Sequence, residues 1–287
     1  MAGIALALAA AVAFALANTS ASVAYHSGSN PLTVAAIRFV LPTATLVTWL
    51  RMRRVPLALR GRNGWLAASL GAVTAFYTWA LLSAIGAIPL AIAILVFYLF
   101  PLVATVILAV CGWEKFGWQT ITAIVLALLG LALALDPPGG NVNFEGVALA
   151  LVGALGLGIV IAVSSRVFGT GDSRPVTLYI AAVSAVVLIG LCAAHGEFVL
   201  PQTGYGWLGF LGTAIFYAFA MIAFFIAISM IGPIRASLLS YAEPVVSAGL
   251  GVALLGETLA PIQITGIALV ITALVGATVW QPRVPTE

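Results

Sequence analysis

Continuous apolar runs of about 20 residues constrain the fold of this chain more than any other feature. At 1.5 Å per residue, an α-helix of this length crosses a hydrocarbon core of ~30 Å. Inside a bilayer only helices or closed barrels satisfy every backbone amide and carbonyl. Barrel strands would alternate apolar and polar residues, and these runs do not. The sequence therefore predicts an all-α integral membrane protein with ten transmembrane helices, over residues 2–24, 31–50, 64–86, 89–111, 118–136, 145–166, 174–194, 204–230, 233–255 and 260–280.

The composition excludes the main alternative classes. Hydrophobic residues make up 63% of the 287 positions and charged residues 7%, against about 45–50% and about 25% in soluble domains. A soluble enzyme, a nucleic-acid-binding protein and a disordered chain are therefore excluded. The first apolar run has no basic segment before it and nine others follow, so it is interpreted as a helix rather than a signal peptide.

The basic residues predict the orientation in the membrane. Lys and Arg concentrate in cytoplasmic loops, and ten of the eleven fall on one side of the predicted bundle: Arg51, Arg53, Arg54, Arg60, Arg62, Lys115, Arg166, Arg174, Arg235 and Arg283. We therefore expect a multi-pass protein of the plasma membrane, the inner membrane in a bacterium, with both termini in the cytoplasm.

The two halves of the chain resemble each other. Residues of the first half recur 140 to 144 positions later as the pairs Pro31 and Pro175, Trp65 and Trp207, Tyr77 and Tyr217, Pro101 and Pro244, and Glu114 and Glu257. We assign the repeats to residues 1–143 and 144–287. Each holds five helices, and an odd number inverts the second copy. Inverted repeats are typical of secondary transporters with alternating access and a site near the midplane.

Several motifs carry a resemblance to a known family. They are Ala-Ala-Ile-Arg-Phe-Val-Leu at 35–41, Pro101 followed by Trp-Glu-Lys at 113–115, Tyr-Ala-Glu-Pro-Val at 241–245 and Leu-Leu-Gly-Glu-Thr-Leu at 254–259. The pattern resembles the drug/metabolite transporter superfamily, specifically the ten-helix EamA type. The resemblance implies export of small metabolites through a central cavity lined mainly by helices one, three, four, six, eight and nine. Within the family, the aromatic-rich lining is most similar to the aromatic amino-acid exporters.

Two ionisable residues, Arg38 and Glu243, lie inside predicted helices. Such groups cost roughly 2.5–3.5 kcal/mol on insertion scales and face the protein interior or a pathway. Glu243 either carries a coupling proton or binds a substrate ammonium, or it has a structural role beside Pro244. Arg38 either attracts a substrate carboxylate or satisfies groups near a kink. A contact between the two is conceivable, although their predicted depths differ.

Uncharged polar and aromatic residues on the predicted inner faces are the candidates for the cavity lining. Aromatic walls suit an apolar side chain, while hydroxyls and an amide orient the polar end of a substrate. The alternative is that the hydroxyls bond their own helices and the small residues serve packing. The candidates are Asn18, Tyr77, Thr78, Tyr98, Ser164, Tyr217, Ser237, Ser240 and Tyr241.

The remaining features bear on mechanism. Pro101 and Pro244 occupy equivalent places in the two repeats and are expected to bend their helices for gating. No phosphate-binding Gly-rich loop occurs, and His26 and His195 lack neighbouring Cys or acidic residues. We therefore expect no catalytic residues, no metal and no cofactor.

The sequence thus predicts a secondary transporter or facilitator that exports small amphipathic metabolites, in the first place aromatic or other hydrophobic amino acids. The expected partners are a small-molecule substrate and the lipid bilayer, with no nucleic acid, and the transport cycle is either proton-coupled or facilitated. The alternatives are a drug or toxic-compound, nucleotide-sugar or lipid transporter of the same superfamily, and more remotely a membrane-embedded enzyme.

Overall fold

A computed structural model describes residues 2–59, 61–112, 118–134, 143–168, 173–196, 198–231 and 239–279. These residues form helices and turns and no strands, which confirms the predicted all-α class. The helices are α1 (Ala2–His26), α2 (Pro31–Met52), α3 (Arg62–Ala87), α4 (Leu90–Phe97), α5 (Phe100–Val110), α6 (Trp118–Ala134), α7 (Phe144–Phe168), α8 (Ser173–His195), α9 (Gly204–Ile231), α10 (Ala242–Leu255) and α11 (Pro261–Val279).

Two of the predicted spans are interrupted rather than continuous. The sequence predicted one helix over 89–111, but a turn at Tyr98 and Leu99 divides it into α4 and α5. In the equivalent span of the second repeat, a turn at Tyr241 separates helical residues 239–240 from α10. Both breaks lie three residues before a proline, Pro101 or Pro244. Proline lacks the amide hydrogen that the carbonyl four residues earlier would accept, so the helical ladder fails there.

The most extensively packed pairs of helices follow the symmetry that an inverted repeat requires. Exchanging the repeats replaces α1 by α7, α2 by α8, α3 by α9, the α4–α5 span by α10 and α6 by α11. The packed pair α1–α9 then becomes α7–α3, which is also packed, and α3–α8 becomes α9–α2. The α7 contacts with α4 and α5 become the α1–α10 contact. The pairs α2–α8, α6–α11 and α4–α10 map onto themselves, as expected for helices beside a pseudo-two-fold axis.

Loops at one end of the bundle bond to each other across the repeats. The Ser29 hydroxyl donates to the Val199 carbonyl at 2.8 Å, and the Asn143 amide donates to the Ala87 carbonyl at 3.3 Å. We call this end, with loops 27–30, 88–89, 198–203 and 256–260, the Ser27 face. The opposite end, where Arg51 and the loop 53–59 lie, is the Arg51 face. The arginines predicted to be cytoplasmic that fall in the described loops lie at the Arg51 face.

Helix α1 presents mainly small side chains to the rest of the protein. Its buried residues are all small: Gly3, Ala7, Ala10, Ala11, Ala13, Ala15, Ala17, Asn18, Thr19, Ala21, Ser22 and Ala24. Of its larger apolar residues, Ile4, Leu8 and Val12 are exposed, as suits side chains that face lipid, whereas Phe14 is partly buried against aromatic rings of α9. Small residues let helix backbones approach closely in a membrane, where burial of apolar surface gives little driving force. Helix α1 accordingly packs closely along α9.

Candidate functional site

The two intramembrane charges meet through one amide at the centre of the bundle. Arg38 on α2 and Glu243 in the first turn of α10 are 3% and 5% exposed. Arg38 Nη2 donates to Asn18 Oδ1 at 2.9 Å, and Asn18 Nδ2 donates to Glu243 Oε1 at 3.0 Å. The sequence allowed a contact between the charges but placed them at different depths. Asn18, from α1, spans that difference and is itself 2% exposed.

Tyr98, at the break between α4 and α5, completes this hydrogen-bonded chain. Its hydroxyl donates to Glu243 Oε2 at 2.7 Å and lies 3.0 Å from the carbonyl oxygen of Ser240. Ser240 is the residue four positions before Pro244, so its carbonyl cannot accept from residue 244. The break in one repeat therefore supplies a donor to the break in the other.

The Tyr98 hydroxyl carries one proton and faces two acceptors, so the chain can exist in two arrangements. With Glu243 ionised, the proton of Tyr98 belongs to the carboxylate. With Glu243 protonated, Oε2 can donate to the Tyr98 oxygen while Tyr98 donates to the Ser240 carbonyl. The oxygen positions are therefore compatible with hydrogen bonds to either form of Glu243.

The guanidinium of Arg38 has two nitrogen donors that no described residue accepts from. Its Cζ lies 4.1 Å from the centroid of the Tyr217 ring, a cation–π contact. Among the described residues, neither Nε nor Nη1 has a hydrogen-bond partner, although both atoms are buried. A buried cation with unused donors is costly unless something else pairs with it. The arrangement is therefore chemically suited to accept an anionic group.

Two aromatic clusters flank the charged chain. The first includes Tyr98, which bonds to Glu243, and consists of Tyr77, Phe97, Tyr98, Phe100 and Tyr241, with neighbouring ring centroids 5.4–6.2 Å apart. The second lies against Arg38 and consists of Phe14, Phe39, Tyr217 and Phe224, with neighbouring centroids 5.5–6.4 Å apart. In the first cluster Tyr98 contacts Tyr241, its counterpart in the other repeat, as residues near a pseudo-two-fold axis should.

The remaining residues predicted to line the cavity or bend a helix lie in different environments. Thr78 and Ser240 are buried with the central residues, at 3% and 9% exposure. Ser164 is partly buried near the end of α7, and its hydroxyl donates to the Ile161 carbonyl of its own helix, which is the packing alternative considered for such residues. Ser237 lies outside the described residues. Pro101 lies in the first turn of α5.

Asn18, Arg38, Tyr98 and Glu243 are all buried among the described residues. Two surface grooves, of about 310 and 430 Å³, are lined by α2 alone and by α2, α3 and α8, and neither is lined by any of these four residues. Four buried hydroxyls have no hydrogen-bond partner among the described residues, those of Tyr25, Thr74, Thr213 and Ser247. Thr213 and Ser247 are fully buried and lie one helical turn from Tyr217 and Glu243, on the side of the Ser27 face.

Sequence reasoning selected Asn18 as a lining residue but missed its role as the bridge between the charges. It also missed Phe39, Phe97 and Phe100, which complete the aromatic clusters. The available signal was their position in the sequence: Phe97 is next to Tyr98, Phe100 is next to Pro101, and Phe39 follows Arg38 directly.

Comparisons with known proteins agree with the repeat and the fold. The family model of the EamA-like transporter family matches residues 1–135 and again residues 144–279. One solved crystal structure of a protein aligns over 96% of this chain and 96% of its own, with a TM-score of 0.67 and 21% identity; at that identity it shows a shared fold alone. No curated protein matches the chain.

Proposed function

We propose a substrate class and a mechanism for this chain, which belongs to the EamA-like transporter family and is therefore a multi-pass membrane transporter of the drug/metabolite superfamily. The proposed substrates are small amphipathic metabolites, chiefly amino acids with aromatic or other hydrophobic side chains. The proposed activity is export by alternating access. The observation that carries this proposal is a buried Arg38 and a buried Glu243 held apart by one amide between two aromatic clusters.

The charges fit the two ends of a zwitterion. A carboxylate can accept two parallel hydrogen bonds from a guanidinium, from Nη2 together with either Nε or Nη1. Arg38 Nε and Nη1 have no partner among the described residues, and Nη2 is released when the bond to Asn18 is given up. An ammonium suits Glu243, which already accepts from two neutral donors, Asn18 and Tyr98. A bound amino acid would thus replace the Asn18 bridge with its own charges. The aromatic clusters would bury its side chain.

We also propose that transport is coupled to protons through Glu243 and Tyr98. Glu243 lies in contact with Tyr98, whose single hydroxyl proton can turn toward Glu243 or toward Ser240. Binding of a substrate ammonium favours ionised Glu243, whereas the empty site tolerates the protonated form. Substrate and proton would then occupy the site alternately, as in an antiporter.

We also propose an orientation of the protein in the membrane. We assign the Arg51 face to the cytoplasm of the plasma membrane, the inner membrane of a bacterium, with both termini on that side. Its support is the set of exposed arginines on that face, Arg51, Arg53, Arg54 and Arg62. The repeats 1–143 and 144–287 would move against each other, with bends at Pro101 and Pro244 narrowing one mouth at a time.

Counterflow in proteoliposomes tests this proposal. Vesicles loaded with Phe should accumulate labelled Phe, and external Phe, Trp, Tyr or Met should compete. The competitors 3-phenylpropionate and phenethylamine, which each lack one charge, should compete at least tenfold less well. Runs with and without a pH gradient test the coupling. Absence of saturable flux for every amino acid would refute the substrate class. A flux that does not depend on the pH gradient would refute proton coupling.

A further inference from the structure

Glu257, the residue that the repeat pairs with Glu114, caps a helix of the other repeat. Helix α4 begins after Pro89 and has no side-chain cap from its own segment. The amides of Leu90 and Ala91 instead donate to the Glu257 carboxylate, to Oε1 and Oε2 respectively. Helix caps normally come from the residue just before the helix. Here the cap comes from 167 residues away, so it lasts only while the two repeats stay together at the Ser27 face.

The capping carboxylate lies at the end of a polar stripe on α10 and the residues before it. Ser240, Glu243, Ser247 and Gly251 recur every three or four residues and are all buried, which places them on one helix face. The stripe runs from the central chain toward the Ser27 face. Gly251 lies against the carboxylate of Glu257, so that a methyl group at position 251 would collide with it.

The stripe contains a polar group that the closed structure does not use. The hydroxyl of Ser247, between Glu243 and Gly251, is fully buried and has no partner among the described residues. Buried polar groups are nearly always hydrogen-bonded, and an exception calls for a water or a ligand in some state of the protein. Ser247 therefore marks a place that becomes wet or occupied when the repeats separate.

We propose that Glu257 is the latch of the gate at the Ser27 face. Its carboxylate, bound to the start of α4, closes the route that leads from Glu243 past Ser247 and Gly251. This inference rests on the proposed function, because a gate has meaning only in a transporter. When the gate opens, the carboxylate leaves α4 and water takes over the amides of Leu90 and Ala91, so the latch favours the closed state by no more than the free energy of one helix cap.

Two substitution pairs separate the latch from general packing. Gly251→Ala adds a methyl group that meets the flexible end of the Glu257 side chain, so the carboxylate must leave α4 while the helix stays intact. Gly249→Ala, two residues earlier on the same helix, adds its methyl group in open space. Glu257→Ala removes the acceptor altogether. Glu257→Gln keeps one acceptor oxygen and should hold the gate shut.

Thiol labelling of position 247 measures the gate directly. In a background without Cys111 and Cys192, Ser247→Cys is exposed to a membrane-impermeant maleimide added on the side of the Ser27 face. Since a helix cap contributes a free energy equivalent to roughly a tenfold population change, Glu257→Ala and Gly251→Ala should raise the labelling rate about tenfold. Gly249→Ala and Glu257→Gln should leave it within about twofold. Tyr205→Cys, exposed on the same face, should label at one rate in every variant, which controls for unfolding.

Two labelling results would overturn the latch. Rapid labelling of Ser247→Cys in the otherwise unchanged protein, or equal rates in the Gly251→Ala and Gly249→Ala variants, would overturn the latch. No substrate is needed for labelling, so the latch can stand when counterflow of amino acids fails. Conversely, normal counterflow with no effect of Glu257→Ala on labelling would remove the latch and keep the proposed function.

Discussion

Replacing Asn18 by Leu should destabilise the protein more than any comparable change on α1. The two side chains have nearly the same shape, so the substitution removes polar bonds without opening a large cavity. It deprives Arg38 Nη2 and Glu243 Oε1 of their partner at once. Both groups are buried, so neither can turn to water in the closed state.

The magnitude follows from the number and kind of the bonds lost. Hydrogen bonds between membrane helices contribute about 0.6 kcal/mol on average and up to about 1.7 kcal/mol each. Both bonds of Asn18 involve an ionisable partner, which places them near the upper figure. We therefore expect the free energy of unfolding to fall by about 2–3 kcal/mol.

Thr19→Val is the matched control for this prediction. Thr19 is the next residue, is 3% exposed, and donates its hydroxyl to the Ala15 carbonyl of its own helix at 2.9 Å. Its replacement is also isosteric and changes a polar group to an apolar one, but it breaks no bond between helices. We expect a loss below about 0.5 kcal/mol, because such a bond within one helix stabilises little.

The assay is reversible unfolding by sodium dodecyl sulfate in bicelles, followed by tryptophan fluorescence. A double-mutant cycle between Asn18→Leu and Glu243→Met, which removes the acceptor oxygen, should give a coupling energy of about 0.6–1.7 kcal/mol. Equal losses for Asn18→Leu and Thr19→Val, or a coupling energy near zero, would refute the bridge as a stabilising element. Asn18 would then be a lining residue and nothing more.

Three further predictions follow from the same chain and its surroundings. Tyr98→Phe should flatten the pH profile of counterflow, since it removes the hydroxyl that turns between Glu243 and Ser240; an unchanged profile would exclude this proton path. Pro244→Ala restores a donor to the Ser240 carbonyl and should lower flux severalfold while thermal stability in detergent stays equal or rises; unchanged flux would count against the bend as a hinge. Burial raises the pKa of the Glu257 carboxyl above its ordinary value of 4.5, and bonds from the α4 amides lower it part of the way. The native protein therefore holds this proton more tightly than the unfolded chain, so thermal stability should fall as pH rises from about 4.5 through the raised pKa. Glu257→Gln should remove that fall and Glu145→Gln, at an exposed position, should not.

The sequence predicted the spans well because each is a local property of the chain. The Asn30 side chain accepts from the Thr33 amide at 2.8 Å and Pro31 occupies the first turn of α2, as the Gly-Ser-Asn-Pro turn suggests. The break at Tyr98 was not predicted, since Pro101 was assigned a bend inside a continuous helix. Proline inside a helix produces either result, and the surrounding packing decides between them.

The site was predicted in part, for a different reason. Arg38 and Glu243 were recognisable because charged residues inside membrane segments are rare and face the protein interior or a functional pathway. Their link through Asn18 joins residues 225 positions apart, and no local pattern reports which of many polar residues will lie between two charges. Glu257 was recognised only as a mark of the repeat. Its role depends on a contact with Leu90 that forms after both repeats have packed.

The small-residue face of α1 has a consequence for the energy surface of the transport cycle. Small side chains give a helix shallow grooves, so most of the α1–α9 interface offers little resistance to a shift along the helix axis. Phe14 is the exception, because its ring packs against Tyr217 and Phe224 of α9. A shift of one helical turn must separate these rings. The barrier along that coordinate is therefore concentrated at one aromatic contact beside Arg38, instead of being spread along the interface.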